Sequence, residues 1–333
     1  MVSRESDVSA VVLSIDESTT DRALASLQLQ TVIPRDIIVV RNVRPFHKAL
    51  NAGVLQVRTL FFVQVDADMI LDPLCIALLR SEMTDEAGIV VGHLRDELIG
   101  DVVGIKLFRT SCFEVAGGFR NSISPDTDFG RDIAVAGWKT IYAGAPSQSD
   151  HEDWAMFGGH HPDYTFEYTY KKYLLEGRRY RYRDRIEGIR WHFDRLEKSR
   201  HPLSMLAQVA LARGIFIAAD DDRLGTLRID QELEMLHRFL YTSCDVPDYD
   251  LELSSDVAPQ TVFNLNYRRG RDLFLSAGSS AFRRTVGELH TRKDDRNWIA
   301  KVSLCRGLFA ETDDEEQLRA DWVVLRDLLR LKD

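Results

Sequence analysis

Four cysteines in 333 residues (Cys75, Cys112, Cys244, Cys305) are too scattered for a disulfide framework, and none forms a C-x-x-C pair. They are expected as reduced core thiols of a cytosolic protein. Long apolar runs are missing too. The longest greasy segment, 205–219, is broken by Gln208 and Arg213 and is too short to cross a bilayer. The opening residues 1–7 hold no apolar stretch of the signal-peptide kind, so a cytoplasmic location is expected, at most peripheral at a membrane's inner face. Positive charge is in deficit: 43 Lys and Arg against 52 Asp and Glu leave a net charge of −9. That balance argues against a general nucleic-acid binder, whose affinity rests on neutralising phosphates. No internal repeat or low-complexity tract is expected. The remainder is ordinary globular composition, 44% hydrophobic and 29% charged.

Two textures divide the chain. In the first, short β-branched runs alternate with short helical patterns: strands over 8–14, 36–40, 60–65, 89–91, 102–108 and 140–142, and helices over 19–28, 47–57, 73–83 and 127–136. Such alternation implies βαβ units and a mostly parallel sheet flanked by helices. From about Pro202 the apolar residues fall at helical spacing over 205–217, 230–241, 279–290 and 315–331, which predicts an α-helical C-terminal domain. The expected domains are therefore 1–160, a connecting segment 161–200, and 201–333.

One feature carries chemistry. Asp66-Ala67-Asp68 follows the apolar run Leu60–Val65. Residues i and i+2 of an extended segment share a side, so both carboxylates are expected to project from the carboxyl end of a buried strand, where open α/β sheets bind ligands. Two close carboxylates repel unless a proton or cation lies between them. A hard divalent ion that keeps open positions for phosphate oxygens suits such a pair.

Other stretches extend the pattern in order: Ser26-Leu27-Gln28-Leu29-Gln30 leading to Asp36-Ile37-Ile38-Val39-Val40, Ala49-Leu50-Asn51-Ala52-Gly53, Val65-Asp66-Ala67-Asp68, Ala116-Gly117-Gly118-Phe119, Asp126-Thr127-Asp128-Phe129 and Ala136-Gly137-Trp138. Together they resemble a family-2-type glycosyltransferase of the GT-A fold, over about residues 8–160. The resemblance implies an inverting, metal-dependent transfer of a sugar from a nucleotide-diphosphate donor, UDP by default, to a glycan or lipid-linked acceptor, as in bacterial surface polysaccharide assembly. It implies Mn²⁺ or Mg²⁺ held by Asp68, with Asp66 nearer the ribose or in the metal's outer shell. It makes Asp126 the catalytic base, although Pro125 stands where the family has an acid. The plainer reading of Asp126 is a helix N-cap. His151 is the expected third metal ligand and His160 the competing one. Asn51 and Lys48 fall where donor or phosphate contacts are made. The acid that usually ends the second strand is replaced by Arg41-Asn42, for which Asp16 is the expected substitute.

Lys171-Lys172-Tyr173 and Arg178–Arg185 concentrate basic residues in an otherwise acidic chain. They suit either an anionic partner, such as a membrane surface through 171–185, or a solvated face with Arg stems on apolar surface. Two alternatives accompany the transferase. A sugar nucleotidyltransferase calls for a Gly-rich basic loop after the first strand, and Ser14-Ile15-Asp16-Glu17-Ser18 has neither glycine nor cation. A degenerate, non-catalytic GT-A domain is the other.

Overall fold

The computed structural model describes residues 6–144, 155–183, 185–217, 229–241, 257–276, 278–289, 295–310 and 315–331. The chain divides into two compact units, 1–163 and 164–333.

The first unit is an α/β domain. Its elements are β1 (Val8–Ser14), α1 (Thr20–Gln28), β2 (Ile37–Arg41), α2 (Phe46–Val54), β3 (Phe61–Asp66), β4 (Met69–Leu71), α3 (Cys75–Ser81), β5 (Ala87–Asp96), β6 (Gly100–Arg109), α4 (Cys112–Ala116), α5 (Pro125–Val135), β7 (Lys139–Tyr142) and β8 (Met156–His160). The sheet runs in the order β2-β1-β3-β6-β5-β8-β4, with β7 also pairing β5. The pairs β1–β2, β1–β3, β5–β7 and β5–β8 are parallel. Strand β6 runs antiparallel to β3 and β5, and β4 antiparallel to β8. The sheet is thus mostly parallel, as expected, with antiparallel pairs added where β5 and β6 form a hairpin that the apolar runs alone do not disclose.

Every residue of β1 is buried, as are the first five of β3, which marks both as central strands covered on two faces. One face packs Val12, Val63, Val65 and Leu107 against Leu27, Ile76 and Leu79. The other packs Val11, Phe62 and Phe108 against Leu50, Phe119, Phe129 and Ile133. On that second face Phe62 stacks on Phe108 at 5.1 Å between centroids and Phe113 on Phe129 at 4.3 Å. This aromatic floor fixes the start of α5 and the turn before it.

Two short strands had no clear signal. Met156-Phe157-Gly158-Gly159-His160 reads as a loop, yet β8 pairs with β4. A Cβ on Gly158 would lie 2.4 Å from the Ile70 carbonyl oxygen, so only glycine permits this approach.

The second unit is helical: α6 (Phe166–Tyr182), α7 (Ile186–Lys198), α8 (Ser204–Ile215), α9 (Ile229–Tyr241), α10 (Pro259–Ser276), α11 (Gly278–Leu289), α12 (Asp295–Gly307) and α13 (Glu315–Leu329). Much of the expected connecting segment therefore forms α6 and α7 of this unit. Its basic residues are largely engaged within the unit. Lys171 pairs with Glu167, Lys172 donates to the Tyr164 hydroxyl at 3.0 Å, Arg178 is buried, Arg179 pairs with Glu176, and Arg181 donates to the Ile215 carbonyl. Among the described residues no helix is long and apolar enough to cross a membrane. Cys75, Cys112 and Cys305 are buried free thiols; Cys244 lies outside the described residues.

Candidate functional site

The buried second face of the sheet turns polar at its upper end. Along β3, Phe62, Gln64 and Asp66 alternate onto this face. Register places Gln64 opposite Lys106 of β6 and Asp66 level with Leu13 of β1. Asp66 thus closes β3, where the backbone leaves the sheet: the Ala67 N–H still donates to the Leu13 carbonyl at 3.0 Å. The Gln64 amide donates to Asp66 Oδ1 at 3.3 Å. Burial, and next the charge of Asp68, push the Asp66 carboxyl up to about 6, while Lys106, Gln64 and His160 pull it the other way. The net upward shift marks a carboxylate held short of compensating charge beside a second acid.

Asp68 meets His160 through the β4–β8 pairing. The His161 N–H donates to the Asp68 carbonyl at 2.7 Å and Met69 stands opposite His160. That register sets His160 Nε2 3.4 Å from Asp68 Oδ2. The other ring nitrogen, Nδ1, lies 2.7 Å from Asp96 Oδ2, while Asp96 Oδ1 accepts the N–H groups of Leu98 and Ile99 at 2.8 and 2.9 Å. Asp96 closes the β5–β6 turn and is itself buried. A carboxylate anchored in this way accepts the Nδ1 proton and fixes the imidazole with its Nε2 lone pair toward Asp68. With carboxylates at both ring nitrogens, His160 stands where a proton or a cation shared with Asp68 would satisfy both groups. His160, the competing ligand in the sequence, is therefore the histidine brought to the Asp pair. His151 lies outside the described residues.

Asp126 comes from the opposite side. Pro125 takes the first position of α5, for which its fixed φ and missing N–H suit it, and Ser124 precedes it in the cap position. Asp126 thereby lies within the first turn and its carboxylate turns to Lys106, whose Nζ donates at 2.7 Å. The N-cap position read for Asp126 belongs to Ser124. Lys106 acts on both Asp126 and Asp66, and so ties the two acids into one electrostatic unit. Sequence reasoning passed over Lys106 and Asp96. The available signal for Lys106 was a lone cation inside the apolar strand Val102–Phe108.

The remaining candidates separate. Asn51 is occupied: its amide donates to the Phe119 carbonyl and its oxygen accepts the Phe119 N–H, both at 2.9 Å. Gly118, at φ +97°, makes this clamp possible, since a Cβ there would sit 2.9 Å from the Asn51 oxygen. Lys48 is exposed on α2. Asp16 follows β1 and reaches the end of β2, accepting from Asn42 Nδ2 at 2.5 Å and Arg41 at 3.2 Å. The Asn42 bond, ahead of Arg41, holds its carboxyl below the usual range. Asp16 thus stands beside the position where the missing acid was expected. Glu17 closes the β1–α1 loop by accepting from Ser14 Oγ at 2.9 Å and the Ile15 N–H at 2.7 Å.

The donor set tests well against an oxygen-preferring cation in one respect and less in another. Two strand-end carboxylates and an oriented imidazole are the right donor chemistry. Among the described residues, however, no three His, Cys, Asp or Glu side chains already converge at metal-binding distance.

No protein-family model matches the chain, and no curated protein is similar to it. Solved structures are similar at low levels. The mannosyltransferase PcManGT from Pyrobaculum calidifontis, in complex with GDP-Man and Mn²⁺, shares 13% identity, with 99% of this chain and 89% of that one covered, at a TM-score of 0.42. A cytidylyltransferase from Leptospira borgpetersenii shares 11% over 51% of this chain and 87% of its own, at 0.34. S. aureus TarS 1–349 in complex with UDP shares 10% over 90% and 88%, at 0.33. Scores this low assign neither family nor chemistry, and the functional reading rests on the chain's own residues.

Proposed function

We propose that the first unit is the catalytic half of an inverting glycosyltransferase that takes a sugar from a nucleoside-diphosphate donor, UDP by default, to a hydroxyl of a glycan or lipid-linked acceptor, with Mn²⁺ or Mg²⁺ as cofactor. The observation that carries this reading is Asp68 beside the Asp96-anchored His160, next to the end of the strand that Asp66 closes, with Lys106 paired to Asp126 and acting on Asp66.

Asp68 and His160 Nε2 are the donors for the cation, and Asp66 lends a further carboxylate. When bound, the divalent ion supplies positive charge where the departing diphosphate gains negative charge, a selective stabilisation of the transition state. Asp126 takes the proton of the attacking acceptor hydroxyl. Displacement from the face opposite the leaving group inverts the anomeric centre, and a positioned base of this kind contributes about 10²–10⁴-fold in rate. Lys106 holds the Asp126 carboxylate in place before the acceptor arrives. Asn51 serves this site indirectly, by holding the Gly117-Gly118-Phe119 turn in place, and Asp16 offers an acid for the nucleoside end of the donor.

The experiment is a melting series with UDP, GDP and their sugars, with and without Mn²⁺. A ligand at about a hundred times its dissociation constant stabilises by about 2.7 kcal/mol. A nucleotide shift that depends on metal is expected. Equal melting temperatures with and without metal, for every nucleotide tried, would leave a non-catalytic domain as the better account.

A further inference from the structure

Helices α6 and α8 cross where two glycines meet. A Cβ on Gly177 would stand 2.2 Å from the Leu211 carbonyl oxygen, and one on Gly214 would stand 2.2 Å from the Leu174 carbonyl oxygen. Helices α10 and α12 cross in the same way: Gly270 against the Leu304 carbonyl at 2.1 Å, Gly307 against the Tyr267 carbonyl at 2.0 Å. In every case the oxygen belongs to the residue three before the facing glycine. Gly177 and Gly214 stand 37 residues apart, as do Gly270 and Gly307, and a shift of 93 carries one pair onto the other.

The same shift, without a gap, aligns the helix between them. Ile189, Phe193 and Leu196, the buried stripe of α7, fall on Phe282, Val286 and Leu289, the buried stripe of α11. It also sets Leu211-Ala212-Arg213-Gly214-Ile215-Phe216 on Leu304-Cys305-Arg306-Gly307-Leu308-Phe309. The fourth helices follow after a shorter connection. Arg213 pairs with Glu232 of α9 at 3.0 Å, and Arg306 with Asp321 of α13 at 2.9 Å. Leu236 and Phe239, four and seven residues beyond Glu232, correspond to Leu325 and Leu328 beyond Asp321, and all four are buried.

The two sets touch reciprocally. The Arg213 guanidinium lies over the Phe309 ring at 5.1 Å from its centroid, and the Arg306 guanidinium over the Phe216 ring at 5.8 Å. Under the shift these are the same contact made in both directions. Residue i of one copy meeting j of the other, and j meeting i, is what a two-fold axis produces in a homodimer and what a head-to-tail stack does not. We propose that the second unit is a tandem duplication of one four-helix module, α6–α9 and α10–α13, whose copies associate about an internal two-fold through the self-complementary Arg-Gly-(Ile/Leu)-Phe ends of α8 and α12. This replaces the expectation that the chain holds no repeat. The copies have diverged in place: Tyr170, whose hydroxyl donates to Glu232, corresponds to Phe263, and Asp321 accepts instead from Gln317 at 2.8 Å.

Double-mutant cycles on the full chain test the axis, pairing Arg213→Gln with Phe309→Leu and Arg306→Gln with Phe216→Leu. Both pairs should couple, each by about 2- to 30-fold in the folding equilibrium, the range for exposed to desolvated cation–ring contacts. Absence of coupling at either pair overturns the two-fold. A register test addresses the duplication: residues 204–216 are replaced by the sequence of 297–309, with Gln208 retained, and compared with the same insert displaced by one residue. The in-register chain should melt cooperatively and the displaced one should not. Equal loss in both overturns the duplication.

Discussion

The two units handle buried charge in opposite ways. In the sheet unit ionisable groups gather at one end of an apolar face, where burial and the charge of Asp68 outweigh Lys106, Gln64 and His160 and the Asp66 carboxyl rises to about 6. In the helical unit the acids and arginines are matched within each four-helix set, Arg213 with Glu232 and Arg306 with Asp321. Burial dominates there too, lowering Arg306 and raising Asp321 from their ordinary values, but each has its partner in place. A buried pair broken on one side is costly, so such pairs fix how helices meet. An under-compensated acid pair instead leaves interaction energy for a ligand to collect. On the proposed function, that contrast assigns the chemistry to the first unit and an architectural part to the second.

Substitutions can break that contrast, the largest effect first. Asp68→Ala should cut transfer by about a thousandfold or more and remove the metal-dependent melting shift, because it deletes a donor to the cation that stabilises the leaving group by several kcal/mol. Retained metal response would move the site elsewhere. Asp126→Asn should lower turnover by about 10²–10⁴-fold while nucleotide and Mn²⁺ affinities, read by calorimetry, stay near the parent values. Unchanged turnover would assign the carboxylate a purely structural part beside Lys106. For Asp96→Asn the expected loss is about 10- to 100-fold in Mn²⁺ affinity, since His160 is no longer anchored at Nδ1. The ring signals of His160 in a nitrogen-detected spectrum should change tautomer population even without metal, and a static spectrum would refute the anchoring.

The smallest effects compare glycines within the helical unit. Gly177→Ala should destabilise by about 1–3 kcal/mol, because the facing carbonyl is backbone and cannot swing aside. Gly287, on α11, has nothing within 4 Å of a Cβ, and Gly287→Ala should stabilise by about 0.5–1 kcal/mol through helix propensity. Denaturant midpoints read both. Equal responses would mean that the α6–α8 crossing is looser than described.

The strand ending in the Asp pair was legible because Phe61–Val65 is apolar but for Gln64 and the polar switch after it is abrupt. Helices with one apolar stripe, such as α9 and α13, were legible for a similar reason. Helix α12 was not: every residue from Asn297 to Gly307 is buried, so no stripe exists to read. Helix α6 was hidden by its charge, because arginines and lysines that fold back onto their own unit look like solvated residues in a linear pattern. His160 and Asp96 are 64 positions apart in the chain, and their hydrogen bond depends on a strand too rich in glycine to be recognised.

By itself the sequence determined the alternation of elements in the first unit, the strand-end location of Asp66 and Asp68, and the all-helical character of the second. Those follow from periodicity and turn chemistry, which act over a few neighbouring residues. Tertiary structure alone decided that β5 and β6 fold back as a hairpin, that His160 reaches Asp68, that Lys106 bridges toward Asp126, and that the glycines of four helices meet in two matching crossings. Each of these depends on register between distant segments, and register is set by packing the whole face rather than by any local preference.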